Sequence, residues 1–136
     1  MEGDGLSAGH VAEASGIPID MLYKTIVCRG DKTGVMLACT PGDTEVDLKK
    51  LAQVSGNKRV ESVHLREILP LTGYVRGGVS PLGCKKDYPL YLDETAVAKD
   101  RISISAGVKG CQIILRPADL VDMRNAVVAP IAKSLG

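Results

Sequence analysis

The sequence contains no Phe and no Trp, and its only aromatic residues are four Tyr. The core must therefore be built from Val, Leu, Ile and Ala, and each Tyr is a candidate for a specific contact. Positive and negative charges nearly cancel, which leaves a formal net charge of +1. This balance excludes a protein that binds nucleic acid through a broadly basic surface, so any contact with RNA has to be local.

Metal-binding and membrane signals are also missing. The four cysteines form no C-x-x-C pair and only two histidines accompany them, so zinc spacings are absent and we expect no metal or cofactor. The N-terminus has no apolar run like that of a signal peptide, and no segment approaches the roughly 20 apolar residues that cross a bilayer. We expect a cytoplasmic protein with reduced thiols and no membrane contact.

The length predicts a single domain over residues 1–136, with residues 1–9 flexible. Strands are predicted at residues 22–29, 35–40, 60–63, 90–93, 101–106 and 111–115, and we expect the first two to pair around a turn at 30–34. Helices are predicted at residues 10–14, 47–55 and 65–69, the last interrupted by Pro70, and others begin at Pro117 and Pro130. Hairpins with interspersed helices indicate the α/β (α+β) class, with a curved, mixed, largely antiparallel sheet.

Residues 72–86, which we call the glycine loop, form the most unusual stretch. They combine Gly73, Gly77, Gly78 and Gly83 with Pro81, a composition that opposes both helix and regular strand. Such a loop either brings backbone N–H and C=O groups close to a ligand or is a long turn between two elements. A ligand with a sugar, a base or phosphates is favoured by the loop's polar residues, which are Tyr74, Arg76, Ser80, Lys85 and Lys86.

The glycine loop does not match the known nucleotide fingerprints. Gly78 to Gly83 has the glycine spacing of a phosphate loop, but Lys85 comes one residue late and no Ser or Thr follows to hold magnesium. The G-x-G-x-x-G fingerprint of dinucleotide sites is absent from the stretch as well. We therefore reject both motifs.

Lys24 lies in the middle of the first predicted strand, with Leu22 and Ile26 on its own face. Lysine is rarely buried without a partner or a role. One hypothesis is a lysine on an edge strand whose ammonium group reaches water. The other is a cation at the floor of a pocket, where it binds a hydroxyl, a phosphate or a developing oxyanion.

Four segments resemble, in the same order, the YbaK/EbsC family of aminoacyl-tRNA deacylases, which is related to the editing insertion of bacterial prolyl-tRNA synthetase. The segments are Tyr-Lys-Thr-Ile-Val around Lys24, Val-Asp-Leu-Lys-Lys-Leu-Ala from Val46, the whole glycine loop, and Ile-Ser-Ala-Gly-Val-Lys-Gly from Ile104. The resemblance covers nearly the whole chain. The form of the glycine loop is similar to that of the YbaK branch, which acts on Cys-tRNA(Pro).

The resemblance implies a trans-acting deacylase that hydrolyses the ester of mischarged tRNA, first of all Cys-tRNA(Pro). It implies two catalytic residues: Lys24 anchors the ribose or phosphate of the terminal adenosine, and Gly77 positions the ester. The thiol of the substrate is implied to attack its own ester, so that hydrolysis rests on substrate positioning and not on a protein nucleophile. The implied substrate-binding residues are Thr72, Gly78, Ser80, Pro81, Gly83, Ser105 and Gln112.

The implied partners are the 3′ end of an aminoacyl-tRNA, bound weakly, and prolyl-tRNA synthetase, which holds the tRNA. Val108 and Gln112 depart from the family pattern, which tends to have Lys and an acidic residue there. Family members also carry a helix and a strand ahead of the segment that begins here near Gly9, and the sheet edge that this leaves open invites a homodimer. The departures favour an alternative function, a noncatalytic module that keeps the pocket and binds a nucleotide, an RNA end or a protein.

The remaining reactive side chains are assigned mostly structural roles. His10 and His64 are expected to be structural or exposed, and Cys28, Cys39 and Cys111 are expected in the core. A rival hypothesis gives Cys84 a lowered pKa and a role as nucleophile or redox sensor, because two lysines follow it.

Overall fold

The computed structural model describes residues 18–75, 78–84, 86–107 and 111–134. The predicted helix at 10–14, His10 and the predicted flexible segment 1–9 lie outside the described residues. The strands are β1 (Tyr23–Gly30), β2 (Gly34–Pro41), β3 (Thr44–Val46), β4 (Val60–Ser62), β5 (Leu90–Asp93), β6 (Ile102–Ser105), β7 (Gln112–Leu115), β8 (Val127–Ala129) and β9 (Ala132–Ser134). The α-helices are α1 (Leu48–Ser55), α2 (Ile68–Thr72) and α3 (Pro117–Arg124), with 3₁₀ turns at Ile19–Met21, Leu65–Glu67 and Glu94–Ala98.

Five strands form the main sheet in the order β4, β1, β2, β5, β8. The predicted pairing of β1 with β2 is confirmed: they are antiparallel, from Tyr23 opposite Pro41 to Gly30 opposite Gly34. Gly34 has φ +80, a value that favours glycine in the tight turn. β4 is antiparallel to β1, whereas β5 and β8 add in parallel, so the predicted mixed sheet of the α/β class is confirmed.

The β6–β7 hairpin adjoins the start of β1 on the side away from β2. Its strands are antiparallel, and a parallel bridge from Leu22 to Ser103 joins β6 to the start of β1. β3 and β9 form a separate two-stranded ribbon. β1 therefore has neighbours on both sides, and the hypothesis that Lys24 lies on an edge strand is wrong.

Alternation along β1 gives the sheet two buried faces, each with an aliphatic core. The Tyr23 face packs on α3 and contains Tyr23, Val27, Leu37, Cys39, Val79, Leu90, Leu92, Ala96, Ile102, Ile104 and Leu120. The Lys24 face packs on α1 and contains Cys28, Met36, Ala38, Val46, Leu51, Ala52, Val60, Ala129 and Ile131. α1 begins at the cap residue Asp47, whose side chain accepts a hydrogen bond from Lys50 N, and ends at Gly56 with φ +79.

Three local predictions were wrong. Pro130 does not open a helix, because the residues after it pair with β3 as strand β9. Pro70 does not interrupt a helix: it lies in the first turn of α2, where a missing N–H costs no intrahelical bond. Cys111 is exposed and precedes β7, so it is not a core residue, whereas Cys28 and Cys39 are buried as predicted. The described residues include no helix with both the length and the apolar character needed to cross a bilayer.

Candidate active site

Lys24 lies in the middle of a line of polar side chains that crosses the strands on one face. We call this line the polar row and define it as Gln112, Ser105, Lys24, Thr40 and Asp93. Two of its contacts are direct strand pairs, because Lys24 is opposite Thr40 and Ser105 is opposite Gln112. Side chains opposite each other in antiparallel strands share a face. The row is thus the polar part of a face that is otherwise aliphatic.

The bridge between Leu22 and Ser103 aligns β1 with β6. Two residues further along each strand, this parallel register brings Lys24 level with Ser105 and on the same face. The hydroxyl of Ser103 donates to Oε1 of Gln112 at 2.9 Å, which holds the end of the row in place. The structure therefore brings together three residues that the resemblance proposes for substrate contact.

Lys24 itself is half-buried. Burial lowers the pKa of its ammonium group from the ordinary value, and the nearby carboxylates of Glu45 and Asp43 act in the opposite direction. Among the described residues no hydrogen bond joins the Lys24 side chain to a partner. A partly desolvated ammonium group is suited to bind an anionic or hydroxyl oxygen, and the two carboxylates help to keep it charged.

Thr40, opposite Lys24, was missed by sequence reasoning. Its hydroxyl is fully buried and has no hydrogen-bond partner within the described part of the chain. A buried polar atom without a partner is costly, and such exceptions call for an explanation. No sequence signal marked it, because Thr is common in strands.

We expect Thr40→Val to leave the fold intact and to raise the free energy of unfolding by about 1 kcal/mol, since valine has the same shape without the unpaired hydroxyl. Urea denaturation of the two proteins measures this difference. Thr25→Val is the matched control, because its hydroxyl contacts Cys39 Sγ at 3.8 Å. A clear loss of stability in Thr40→Val alone would contradict the assignment of Thr40 as unpaired.

Asp93 closes the other end of the row. The pair of Cys39 with Leu92 brings Thr40 level with Asp93, the next residue on each strand. The Asp93 carboxylate is buried and accepts four hydrogen bonds: Oδ1 from the backbone N–H groups of Ile131 and Ala132, both at 2.9 Å, and Oδ2 from the Thr95 backbone and hydroxyl. Asp93 ends a strand and caps the 3₁₀ turn that follows by accepting a bond from Thr95 N. This capping pattern is the sequence signal that could have identified Asp93.

A cleft of about 280 Å³ opens at this end of the row. Pro41, Asp93 and Lys133 are among the residues that line it, while Lys24 and the residues of the glycine loop are not. The cleft therefore does not coincide with the predicted site.

The glycine loop has no helix or strand from Gly73 onward in its described residues, as predicted. Two predicted substrate-binding hydroxyls serve the loop itself. Thr72 Oγ1 donates to Ile68 O at 2.7 Å and accepts from Tyr74 N at 3.0 Å, and Ser80 Oγ accepts from Leu82 N at 3.2 Å. Both residues are buried, so they shape the loop from within.

The other described site residues of the loop are held in place through their backbone groups. Gly78 is buried, and its N–H donates to Val75 O at 2.9 Å. The carbonyl oxygen of Pro81 accepts from Arg124 at 2.7 Å, and that of Gly83 accepts from the Tyr74 hydroxyl at 2.6 Å. Gly77, together with Arg76, Lys85 and Val108, lies outside the described residues.

The turn after β6 links the glycine loop to the polar row. Gly107 has φ +94, which favours glycine, and a Cβ there would be 3.0 Å from Cε1 of Tyr74, a tight contact with this ring. The Gly107 N–H donates to Ser105 Oγ at 3.2 Å. Val79 of the loop packs on the Tyr23 face and Lys24 belongs to the other face, so the turn at Gly107 is where the loop, through Tyr74, adjoins the row, through Ser105.

Within the part of the chain that the structure describes, no activated nucleophile accompanies these residues. Burial raises the pKa of Cys28 and of Cys39 to about 12 each. The pKa of Cys84 is also raised by burial, although the positive charge of Arg124 opposes the rise, so the hypothesis of a thiol with a lowered pKa is wrong. His64 is exposed as predicted, and the described ranges hold no group of three or more His, Cys, Asp or Glu placed to bind a metal.

A polar row with one half-buried lysine, joined through the turn at Gly107 to a glycine loop of defined backbone, has the form of a site that positions a ligand. Residues 3–123 match the model of the aminoacyl-tRNA editing domain, and the chain belongs to this family. It is 48% identical over 128 residues to EbsC of Enterococcus faecalis, named as a candidate Cys-tRNA(Pro)/Cys-tRNA(Cys) deacylase; the match covers 94% of the chain and 78% of EbsC.

Two further comparisons agree with this assignment. The chain is 33% identical over 77 residues to proline–tRNA ligase of Thermosipho africanus, a match that covers 57% of the chain and 14% of the ligase. A solved structure of a candidate trans-editing enzyme for prolyl-tRNA synthetase matches with a TM-score of 0.85 at 27% identity, covering 98% of this chain and 84% of the other. The fold expected from the resemblance is thereby confirmed.

Proposed function

We propose that this protein is a trans-acting deacylase that hydrolyses the aminoacyl ester of mischarged tRNA, with Cys-tRNA(Pro) as the substrate. The observation that carries the proposal is the 48% identity with EbsC over 94% of the chain. The polar row supports it, because Lys24 offers a cation for a ribose hydroxyl or a phosphate of the terminal adenosine. Gly77, the proposed partner of Lys24, positions the ester through its backbone.

Hydrolysis by positioning needs no nucleophile from the protein. The cysteinyl sulfur attacks its own carbonyl carbon, the bond to the ribose oxygen breaks, and the ribose hydroxyl leaves with the thiol proton. Water then opens the four-membered thiolactone to give free cysteine. Holding the thiol and the ester carbonyl in an attack geometry is the kind of effect that is worth several kcal/mol. The raised pKa values of the buried thiols Cys28 and Cys39 are consistent with a mechanism in which the protein positions the substrate and the substrate supplies the nucleophile.

The net charge of +1 supports weak binding of tRNA by this chain alone. We propose that prolyl-tRNA synthetase holds the tRNA while this protein acts on its 3′ end. The substrate-binding roles of Gly78, Ser80, Pro81 and Gly83 are limited to their backbone and to loop shape. Formation of a homodimer stays a prediction.

The test is deacylation of Cys-tRNA(Pro), measured beside Ala-tRNA(Pro) and Cys-tRNA(Cys). Hydrolysis of the cysteinyl esters alone is the expected result, since alanine has no thiol to attack the ester. Equal hydrolysis of Ala-tRNA(Pro) would exclude the substrate thiol as nucleophile. If the folded protein hydrolyses none of the three esters, the proposal that it is a deacylase is refuted.

A noncatalytic binding module is the second candidate, and Gln112 favours it. Its neutral amide, held by Ser103, stands where the family tends to have an acidic residue. Such a module would bind charged tRNA to saturation and leave the ester intact. Filter binding and ester hydrolysis, measured on the same sample, separate the two candidates.

The pH profile of deacylation should depend on Glu45. The folded-state pKa of Lys24 is below its ordinary value, so its charge is lost at lower pH than that of a free lysine, and Glu45 opposes this loss. We expect Glu45→Gln to move the alkaline decline of activity to lower pH. Rates from about pH 7 to about pH 10, less the uncatalysed rate, measure the shift.

Glu61→Gln is the control for this experiment, because Glu61 is an exposed carboxylate on β4 that has no part in the pKa of Lys24. Its profile should coincide with that of the wild type. A profile for Glu45→Gln that is unchanged or displaced to higher pH would contradict the role of Lys24 as a charged anchor.

A further inference from the structure

Arg124, the last residue of α3, reaches across to the glycine loop. Its Nη1 donates to Pro81 O and its Nη2 to Tyr88 O, both at 2.7 Å. The side chain is 9% exposed, so these bonds form in a largely desolvated place. One guanidinium group thus joins two main-chain carbonyls seven residues apart, which only a planar fork of donors can do at fixed geometry.

The contact of Arg124 with Asp87 is of a different kind. Its Nη2 is 3.3 Å from Asp87 Oδ1, but the Asp87 side chain is 98% exposed. An ion pair with so exposed a partner contributes little. The two carbonyl bonds therefore account for the position of Arg124.

Contacts within the loop fix only part of the shape of a stretch with this composition. Glycine carries no side chain to pack and has many backbone conformations to lose. The described carbonyl of Gly83 accepts its bond from Tyr74 within the loop, whereas that of Pro81 accepts from Arg124, a side chain outside the loop. Arg124 therefore supplies a bond to the loop backbone from outside, in addition to the bonds that the loop makes with itself.

We propose that Arg124 is a positioning residue for deacylation: it holds the glycine loop in the shape in which the loop backbone aligns the ester, without touching the substrate. This inference rests on the proposed function. Because it acts on alignment and not on affinity, the loss of Arg124 lowers kcat more than it raises KM.

The experiment compares Arg124→Met and Arg124→Lys with the wild type. Arg116→Met is the matched control, since Arg116 precedes the same helix and its side chain, 73% exposed, pairs with Asp119 alone among the described residues. We measure kcat and KM on Cys-tRNA(Pro), and amide hydrogen exchange of residues 78–84 by mass spectrometry. For Arg124→Met we expect kcat to fall about 10-fold or more, KM to change by less than about 3-fold, and exchange to accelerate in the loop alone.

Arg124→Lys should recover part of kcat, because an ammonium group can bind one of the two carbonyls, and Arg116→Met should match the wild type. A folded Arg124→Met protein with wild-type kcat and loop exchange overturns the proposal. A fall in kcat accompanied by faster exchange throughout the core also overturns it, since that is loss of fold. If Arg124→Met does not fold, the kinetics and the amide exchange of residues 78–84 are measured on Arg124→Lys instead.

Failure of the proposed function is recognisable separately. A wild-type protein that hydrolyses none of the esters refutes the deacylase and the catalytic role of Arg124 with it. The exchange of residues 78–84 in Arg124→Met then decides whether Arg124 holds the loop, and wild-type exchange overturns that statement too.

Discussion

Lys24→Ala is expected to lower the rate of Cys-tRNA(Pro) deacylation at least about 100-fold, the loss typical of removing one charged or hydrogen-bonding group from a preorganised site. Lys24 is the cation of the polar row, half-buried and level with Ser105 on one side and Thr40 on the other. Alanine leaves the oxygen that it anchors without a partner. Single-turnover hydrolysis at saturating protein measures this effect apart from binding.

The fold should survive this substitution. The Lys24 side chain makes no hydrogen bond to another described residue, and its removal also removes the cost of partly desolvating a charge. Lys49→Ala, on the exposed side of α1, is the control and should keep full activity. Retained turnover in Lys24→Ala, with an unchanged thermal transition, would falsify the assignment of Lys24 as the anchor.

Asp93→Ala is expected to lower the free energy of unfolding by about 3 to 5 kcal/mol, because the four hydrogen bonds of its carboxylate are lost together. The N–H of Ile131 would be left buried without a partner. The segment before β9 and the turn at Thr95 are both fixed by this one side chain. Urea denaturation followed by circular dichroism measures the change.

Glu94→Ala is the matched control, since Glu94 is the neighbouring carboxylate and is exposed. It should change stability by less than about 0.5 kcal/mol. The loss of stability in Asp93→Asn should fall between those of Asp93→Ala and Glu94→Ala. Oδ1 of the asparagine can still accept its two bonds, while its NH₂ group faces the Thr95 N–H and cannot accept from it. A loss below about 1 kcal/mol in Asp93→Ala would show that the buried carboxylate is not what fixes this end of the sheet.

Local patterns predicted the elements that depend on neighbouring residues. The β1–β2 hairpin, the helix predicted at 47–55 and the irregular glycine loop follow from alternation, apolar spacing and glycine content, and the structure has them. Lys24 also stood out, because a charge in the middle of an apolar strand is unusual in any fold. Pro130 misled the same reasoning, since pairing with the distant β3 outweighs the helix preference of a single proline.

The sequence by itself determined the α/β class, the aliphatic core and the family resemblance through motifs along the chain. The tertiary structure alone decided which residues stand beside Lys24. The register across β7, β6, β1, β2 and β5 aligns residues up to 88 positions apart, from Lys24 to Gln112. The contacts of Arg124 could not be predicted from the sequence either, because its partners Pro81 and Tyr88 lie 43 and 36 residues away. Contacts between residues so far apart leave no periodic pattern in a sequence.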